Sequence, residues 1–264
     1  MQPGVFQAQK KDGTIYYRSS ITYRSKHISL GSYEDETAAH LAYQTASDLL
    51  ADRADYQPDD YHADCFLELP FRKWITLLNF KNNGIYCKTP IYLRSNFFQY
   101  FLSPEDVLLF DVDDLFYYSN HSIMRRGNHL FVAEYGMQTN IHSRYGIRNF
   151  GRLGIDYRFV NGNPSDYRYS NIEIINPYHG VTVSTKQGHT IYTTQIHIHG
   201  NYLVGRYHSL TEAAIAYNKA VDTIIQKGNT KQFEKNYIEE LTSQAYHRIY
   251  NKIDMPEKIL RYSC

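Results

Sequence analysis

The side chains with the most chemistry to offer are arginines and histidines set at alternating positions. From residue 15 to residue 24, Ile15, Tyr17, Ser19, Ile21 and Tyr23 fall on one face of a strand, and Tyr16, Arg18, Ser20, Thr22 and Arg24 on the other. A guanidinium is a rigid fork of donors that bonds a guanine edge or a phosphate at two points, so Arg18 and Arg24 mark the second face as a candidate nucleic-acid reader. Lys26, His27 and Ser29 extend that surface on the next strand. A second arginine group, Arg125, Arg126, Arg144, Arg148 and Arg152, has no strand period and suits phosphate contact, or pairing with acids such as Asp111, Asp113 and Asp114. His197 and His199 alternate on a strand and with His189 form a nominal metal triad. No acidic or cysteine partner has suitable spacing, so Gln195, His197 and His199 read as donors on a polar sheet face, with Ile196 and Ile198 in the core.

The elements that must position these residues are duplicated. Residues 4–43 and 180–217 both open on Gly-Val, cross a polar turn and reach Ile-Tyr eleven residues after the glycine, at Ile15-Tyr16 and Ile191-Tyr192. Both then run to Gly-x-Tyr (Gly31 to Tyr33, Gly205 to Tyr207) and close on an alanine-rich stretch with helical spacing. Ser32 and Ser209 are the expected caps. The unit is three short strands and a helix, and the second copy offers Lys186, Thr194, Gln195, His197, His199 and Arg206 where the first offers Tyr16, Arg18, Arg24, Lys26 and His27.

Leu30-Gly31-x-Tyr33 and Val204-Gly205-x-Tyr207, leading into the helical stretches Ala38-Ala-His-Leu-Ala-Tyr43 and Ala213-Ala-Ile-Ala-Tyr217, resemble the ethylene-response-factor (APETALA) type DNA-binding domain. The resemblance implies a helix on one face of the sheet and DNA in the major groove against the other. Between the copies, His129 to Tyr135, Val160-Asn-Gly-Asn163 and Asp166-Tyr-Arg168-Tyr-Ser-Asn171-Ile172 resemble the HNH nuclease motif. In active members a ββα hairpin places Asp or Asn and then His just before the turn, with a later Asn on the helix, and these hold one divalent metal and activate water. Here Arg158 and Phe159 fill the two decisive places, Arg168 fits the Asn-Arg position and Asn171 the later Asn. Phenylalanine takes no proton and arginine repels a cation. The resemblance therefore implies an inactivated nuclease scaffold; for an active one, His129, His142 and Asn171 are the candidate catalytic residues and magnesium the cofactor.

Composition bounds the rest. A chain of 264 residues with 42% apolar and 21% charged residues suits two or three small folded domains. No apolar run approaches the ~20 residues of a membrane span and no signal segment opens the chain. The three cysteines, Cys65, Cys87 and Cys264, are too scattered for a disulfide framework or a zinc site, which points to the cytoplasm. The net charge of +1 hides segregation. Residues 34–64 hold nine acids against Arg53, a net −8, and residues 123–152 hold five arginines against Glu134, a net +4.

The expected organisation is a first repeat over 1–51, a linker and aromatic-rich region over 52–110, an HNH-like module over 111–178, a second repeat over 179–227 and a C-terminal amphipathic segment over 228–264. Helices are expected over 71–80, near Ser103 to Asp106 and over 233–253. The fold class is α+β and multi-domain, with two three-stranded antiparallel sheet-plus-helix units around a ββα module. The function expected is sequence-specific binding of double-stranded DNA, with transcriptional regulation as its use, no cofactor, no membrane partner and a homodimer left open. A metal-dependent HNH endonuclease is the alternative, and a protein-interaction or inhibitor role through the acidic stretch a third.

Overall fold

The computed structural model describes residues 1–51, 55–62, 68–134, 136–148 and 150–262. The chain is α+β and divides into two compact units, Met1–Ile141 with Asn163–Asn171, and His142–Gly162 with the residues from Ile172 onward.

In the first unit, strands β1 (Val5–Gln9), β2 (Ile15–Tyr23) and β3 (Lys26–Tyr33) form an antiparallel sheet in the order β1-β2-β3, and helix α1 (Glu36–Leu50) packs on one face. The helix starts at Asp35, whose carboxylate accepts the Ala38 N–H at 2.8 Å, not at Ser32, which lies within β3 opposite Arg18. Its buried Ala39, Ala42 and Ala46 carry no bulk, so the helix settles close to the sheet. Helix α2 (Phe71–Asn83) joins the same core, where Trp74 is fully buried among Ile28, Leu30, Leu49 and Leu77. Tyr56 and Tyr61, from the stretch expected to be a linker, stand edge-on to Trp74 at 6.4 and 5.6 Å. The other parts of that stretch, 52–54 and 63–64, lie outside the described residues, as do Cys65 and Cys264.

The aromatic-rich region then builds a second sheet, β4 (Ile91–Leu93), β5 (Phe97–Phe101) and β6 (Val107–Asp111). Ser103 to Asp106 is the hairpin turn between β5 and β6 and not a helix, because Leu102 N–H closes on Asp106 O at 2.9 Å. Helix α3 (Leu115–Asn120) and the meander β7 (Ile123–Arg126), β8 (His129–Glu134) and β9 (Met137–Asn140) follow. Phe98, Phe110, Tyr118 and Tyr167 stack in this core, with Phe110 and Tyr118 ring centroids 4.4 Å apart. Cys87 is buried, and burial pushes its thiol up to about 11.

The second unit opens on a two-stranded hairpin, β10 (Tyr157–Phe159) with β11 (Ile172–Ile174). It continues into the second repeat, β12 (Val181–Lys186), β13 (His189–His197), β14 (Asn201–Tyr207) and helix α4 (Leu210–Gln226), which Ser209 caps as expected. Helix α5 (Ser243–Lys252) starts only at its Thr242 cap, and α6 (Glu257–Leu260) follows Pro256. The expected helix over 233–253 is therefore half that length: residues 233–238 are irregular, with Ile238 buried against α4 and Asn236 bonded through its side chain to His179 and Ala214. Among the described residues no helix is long and apolar enough to cross a membrane.

Candidate nucleic-acid interface

The two repeats agree to the level of single hydrogen bonds. Gly4 and Gly180 sit at φ +75° and +71°, where a Cβ would strike the Tyr43 and Tyr217 rings at 2.0 and 2.1 Å. Their carbonyls accept the N–H of Ser20 (3.0 Å) and Gln195 (2.8 Å). Beside each of those residues the sheet takes one extra residue on its third strand, Leu30 in β3 and Val204 in β14, and both side chains are buried under the helix.

On the helix-free face of the first sheet stand Phe6, Tyr16, Arg18, Thr22, His27 and Ser29. Part of this face is a shallow depression of about 410 Å³ lined by Phe6, Arg18, Ser20, His27 and Ser29. Arg18 donates to the Tyr16 hydroxyl through Nη2 (2.6 Å) and Nε (3.1 Å), and no carboxylate among the described residues pairs with it. Its charge is aimed and unspent. Arg24 and Lys26 do not share this face. Arg24 has φ +46° in the β2-β3 turn and donates to Phe80 O at 3.1 Å, at the carbonyl end of α2, while Lys26 lies over the Tyr86 ring at 4.6 Å. Alternation does not continue through the turn at Arg24, and Lys26, opposite Tyr23, alternates with His27 along β3, so both point to the helix side.

In the second sheet the register moves the correspondence with the first sheet by one residue. Tyr192 faces Tyr207 as Tyr17 faces Tyr33, so Tyr192 is the counterpart of Tyr17 and not of Tyr16. The cause is a shorter hairpin: Lys186 pairs with His189 across two residues, where Gln9 pairs with Ile15 across five. Thr194 consequently replaces Ser19 beneath the helix, fully buried and bonded to Ala213 O at 2.9 Å, and leaves the expected polar face. Thr193 takes the place of Arg18. The helix-free face carries Thr182, Lys186, Thr193, Gln195, His197 and Arg206, with His197 Nδ1 2.8 Å from Asn201 Oδ1. Strand β13 ends at His197, so the exposed His199 sits in the following turn and does not align with it. Ile196 and Ile198 are buried as expected.

Most of the central arginines are occupied, with acids other than Asp111, Asp113 and Asp114. Arg125 pairs with Asp106 (2.9 Å), Arg158 with Glu173 across the β10-β11 hairpin (2.7 Å), and Arg168 with Asp166 through two bonds of 2.6 and 2.8 Å. Arg148 and Arg152 converge on Asp156, whose side chain is 2% exposed. Burial pushes the Asp156 carboxyl up, but the Arg152 N–H, the Asn176 amide (2.8 Å) and the Arg148 charge outweigh it and hold the group below the usual carboxylate range. Arg148 also donates to Tyr178 O and Asn176 to Val181 O, so this network fastens the hairpin to the second repeat. Arg126 and Arg144 are exposed.

The expected ββα arrangement is not formed. The β10-β11 hairpin leads into β12 with no helix between them, and Asn171 ends a short 3-10 turn, buried and donating to Asp166 O at 2.8 Å. Phe159 is buried and Arg158 exposed. His129 is exposed at the start of β8 in the first unit, and His142 lies against the Tyr157 ring in the second. Among the described residues no group of three or more His, Cys, Asp or Glu is placed to hold a metal ion. Sequence reasoning passed over Phe6 and Thr193 on the open faces and the partner acids Asp106, Asp156, Asp166 and Glu173; strand pairing, which sets the faces, was the missing signal.

No protein-family model matches the chain, and comparison with curated proteins and with solved structures gives no match.

Proposed function

We propose that the protein binds double-stranded DNA through the helix-free faces of its two sheets, in the cytoplasm, as a sequence-specific regulator that does not cut its target. The observation that carries this reading is the duplicated sheet: both copies bury one face under a helix and leave the other exposed, polar and armed with donors, Arg18 in one and Gln195, Lys186 and Arg206 in the other. Such a ribbon of strands fits the width of the major groove, where side-chain donors meet base edges. One small module buries only about 600–1,000 Å² on DNA, so two faces supply what a specific complex commonly needs.

The central module has a different part in this reading. Most of its arginines neutralise neighbouring carboxylates, and the places that would need a base and a metal ligand hold Phe159 and Arg158. Selection of bound duplexes from a randomised pool, followed by footprinting, tests the proposal: two separated protected elements are expected, and substitutions confined to one sheet face erase one and spare the other. The recovered duplexes stay intact with magnesium or manganese. Metal-dependent nicking that His129→Ala or His142→Ala abolishes would instead assign an endonuclease.

A further inference from the structure

A third basic surface lies in the second unit, beside the open sheet face. A groove of about 410 Å³ runs between β14, an edge strand, and helix α5, lined by Arg206 on the strand, Glu212 on α4, Arg248, Ile249 and Lys252 on α5, and Asp254 beyond it. Arg206, Arg248 and Lys252 are exposed, and no carboxylate among the described residues pairs with them. Helix α5 contains no Asp or Glu, so Arg248 and Lys252, one turn apart, repel each other with nothing on their own helix to offset it. The two acids are answered from elsewhere. Glu212 is the third residue of α4, next to the positive end of that helix. Lys219 donates through Nζ to the Tyr250 and Ile253 carbonyls (2.8 and 2.7 Å) and brings a positive charge to the position just before Asp254. The cations of the groove are left unanswered.

We propose that this groove is a clamp for the sugar-phosphate backbone, in which Arg206, Arg248 and Lys252 each neutralise a phosphate. The inference rests on the sheets being DNA-facing, because Arg206 joins the two surfaces: strand register sets it opposite Thr193 on the open face, and it also lines the groove. A backbone following that face would pass between strand and helix, contributing affinity without sequence preference.

The test uses the intact protein and a fluorescent selected duplex beside a scrambled one, with affinity measured over a salt series. Arg248→Ala and Lys252→Ala each lower the slope of log affinity against log salt by about 0.9, equally on both duplexes, and the double variant by about 1.8. Lys258→Ala, exposed on α6 and outside the groove, leaves the slope unchanged. Alanine is the best helix former, so exposed sites on α5 tolerate it, and circular dichroism checks that they do. Parent-like slopes in the variants, with duplex binding retained, sink the clamp alone. If in addition a hexaglutamate peptide binds the parent and not the double variant, the groove belongs to an acidic protein segment. A parent that binds neither duplex at any salt overturns the reading of the sheets, and the clamp with it.

Discussion

Arg18 and Arg148 show how little an arginine's place in the sequence says about its work. Arg18 is exposed, braced by the Tyr16 hydroxyl and unpaired with any described carboxylate, so Arg18→Ala costs about 1–3 kcal/mol of binding to the selected duplex and relaxes preference at one position, with the fold intact. Equilibrium binding to single-base variants of the site checks this. Arg148 is 12% exposed beside an Asp156 that is 2% exposed, and Arg148→Ala leaves that buried carboxylate with the longer, more exposed Arg152 contact in place of its closest cation, at about 3 kcal/mol of stability. The same carboxylate makes the second unit acid-sensitive in a definite window. Its pKa is depressed in the folded protein, so its contribution is complete above the unfolded value of about 3.9 and is lost as pH falls through the lower folded value. Urea melts from pH 6 to pH 2 show that loss in the parent, and Asp156→Asn, which cannot titrate, lacks it.

The repeated element rests on a glycine whose backbone and surroundings both forbid a side chain. Gly4→Ala and Gly180→Ala each meet a left-handed φ and a tyrosine ring far inside van der Waals contact, and each costs at least about 2 kcal/mol. Chemical denaturation of Gly4→Ala with Tyr43→Ala separates the two causes, since removal of the ring leaves only the backbone term. These elements were legible in sequence because their signals are local: the Gly-Val opening, the alternation of β2 and the alanine period of α1 and α4 all hold as read. The errors came where one residue decides. A two-residue hairpin in place of a five-residue one shifts the correspondence between the copies by a single residue, so Thr194, grouped with the polar face, lies in the core. Turns ended the alternation at Arg24 and His199, and irregular backbone replaced the first half of the expected terminal helix. The pairing of Asp156 with Arg148 and Arg152, and of Asp166 with Arg168, depends on loop geometry that no periodicity encodes.

At the scale of the molecule, the second repeat is not built alone. The hairpin of β10 and β11 precedes it in the chain, and Arg148, Asp156 and Asn176 bind it to Tyr178 and Val181. The segment 163–171, between those two strands in sequence, belongs to the first unit, where Tyr167 N–H bonds Leu109 O at 2.8 Å and Tyr169 N–H bonds Asp111 at 2.7 Å. The polypeptide therefore passes between units three times, after Ile141, after Gly162 and after Asn171. A protease that finds Phe150, 97% exposed with φ +64°, severs the chain inside the second unit. With Phe116 and Tyr237, 86% and 84% exposed, replaced by alanine, limited chymotrypsin cleavage at Phe150 is expected to give two fragments on a denaturing gel that still elute as one species under native conditions, since each unit then contains pieces of both. Two species under native conditions would show that the interlacing does not hold the fragments together. By the same connectivity, neither unit is a cassette: a recombination joint placed ahead of residue 179 would move the repeat without the hairpin that anchors it, and a joint placed ahead of residue 142 would carry residues 163–171 out of the first unit.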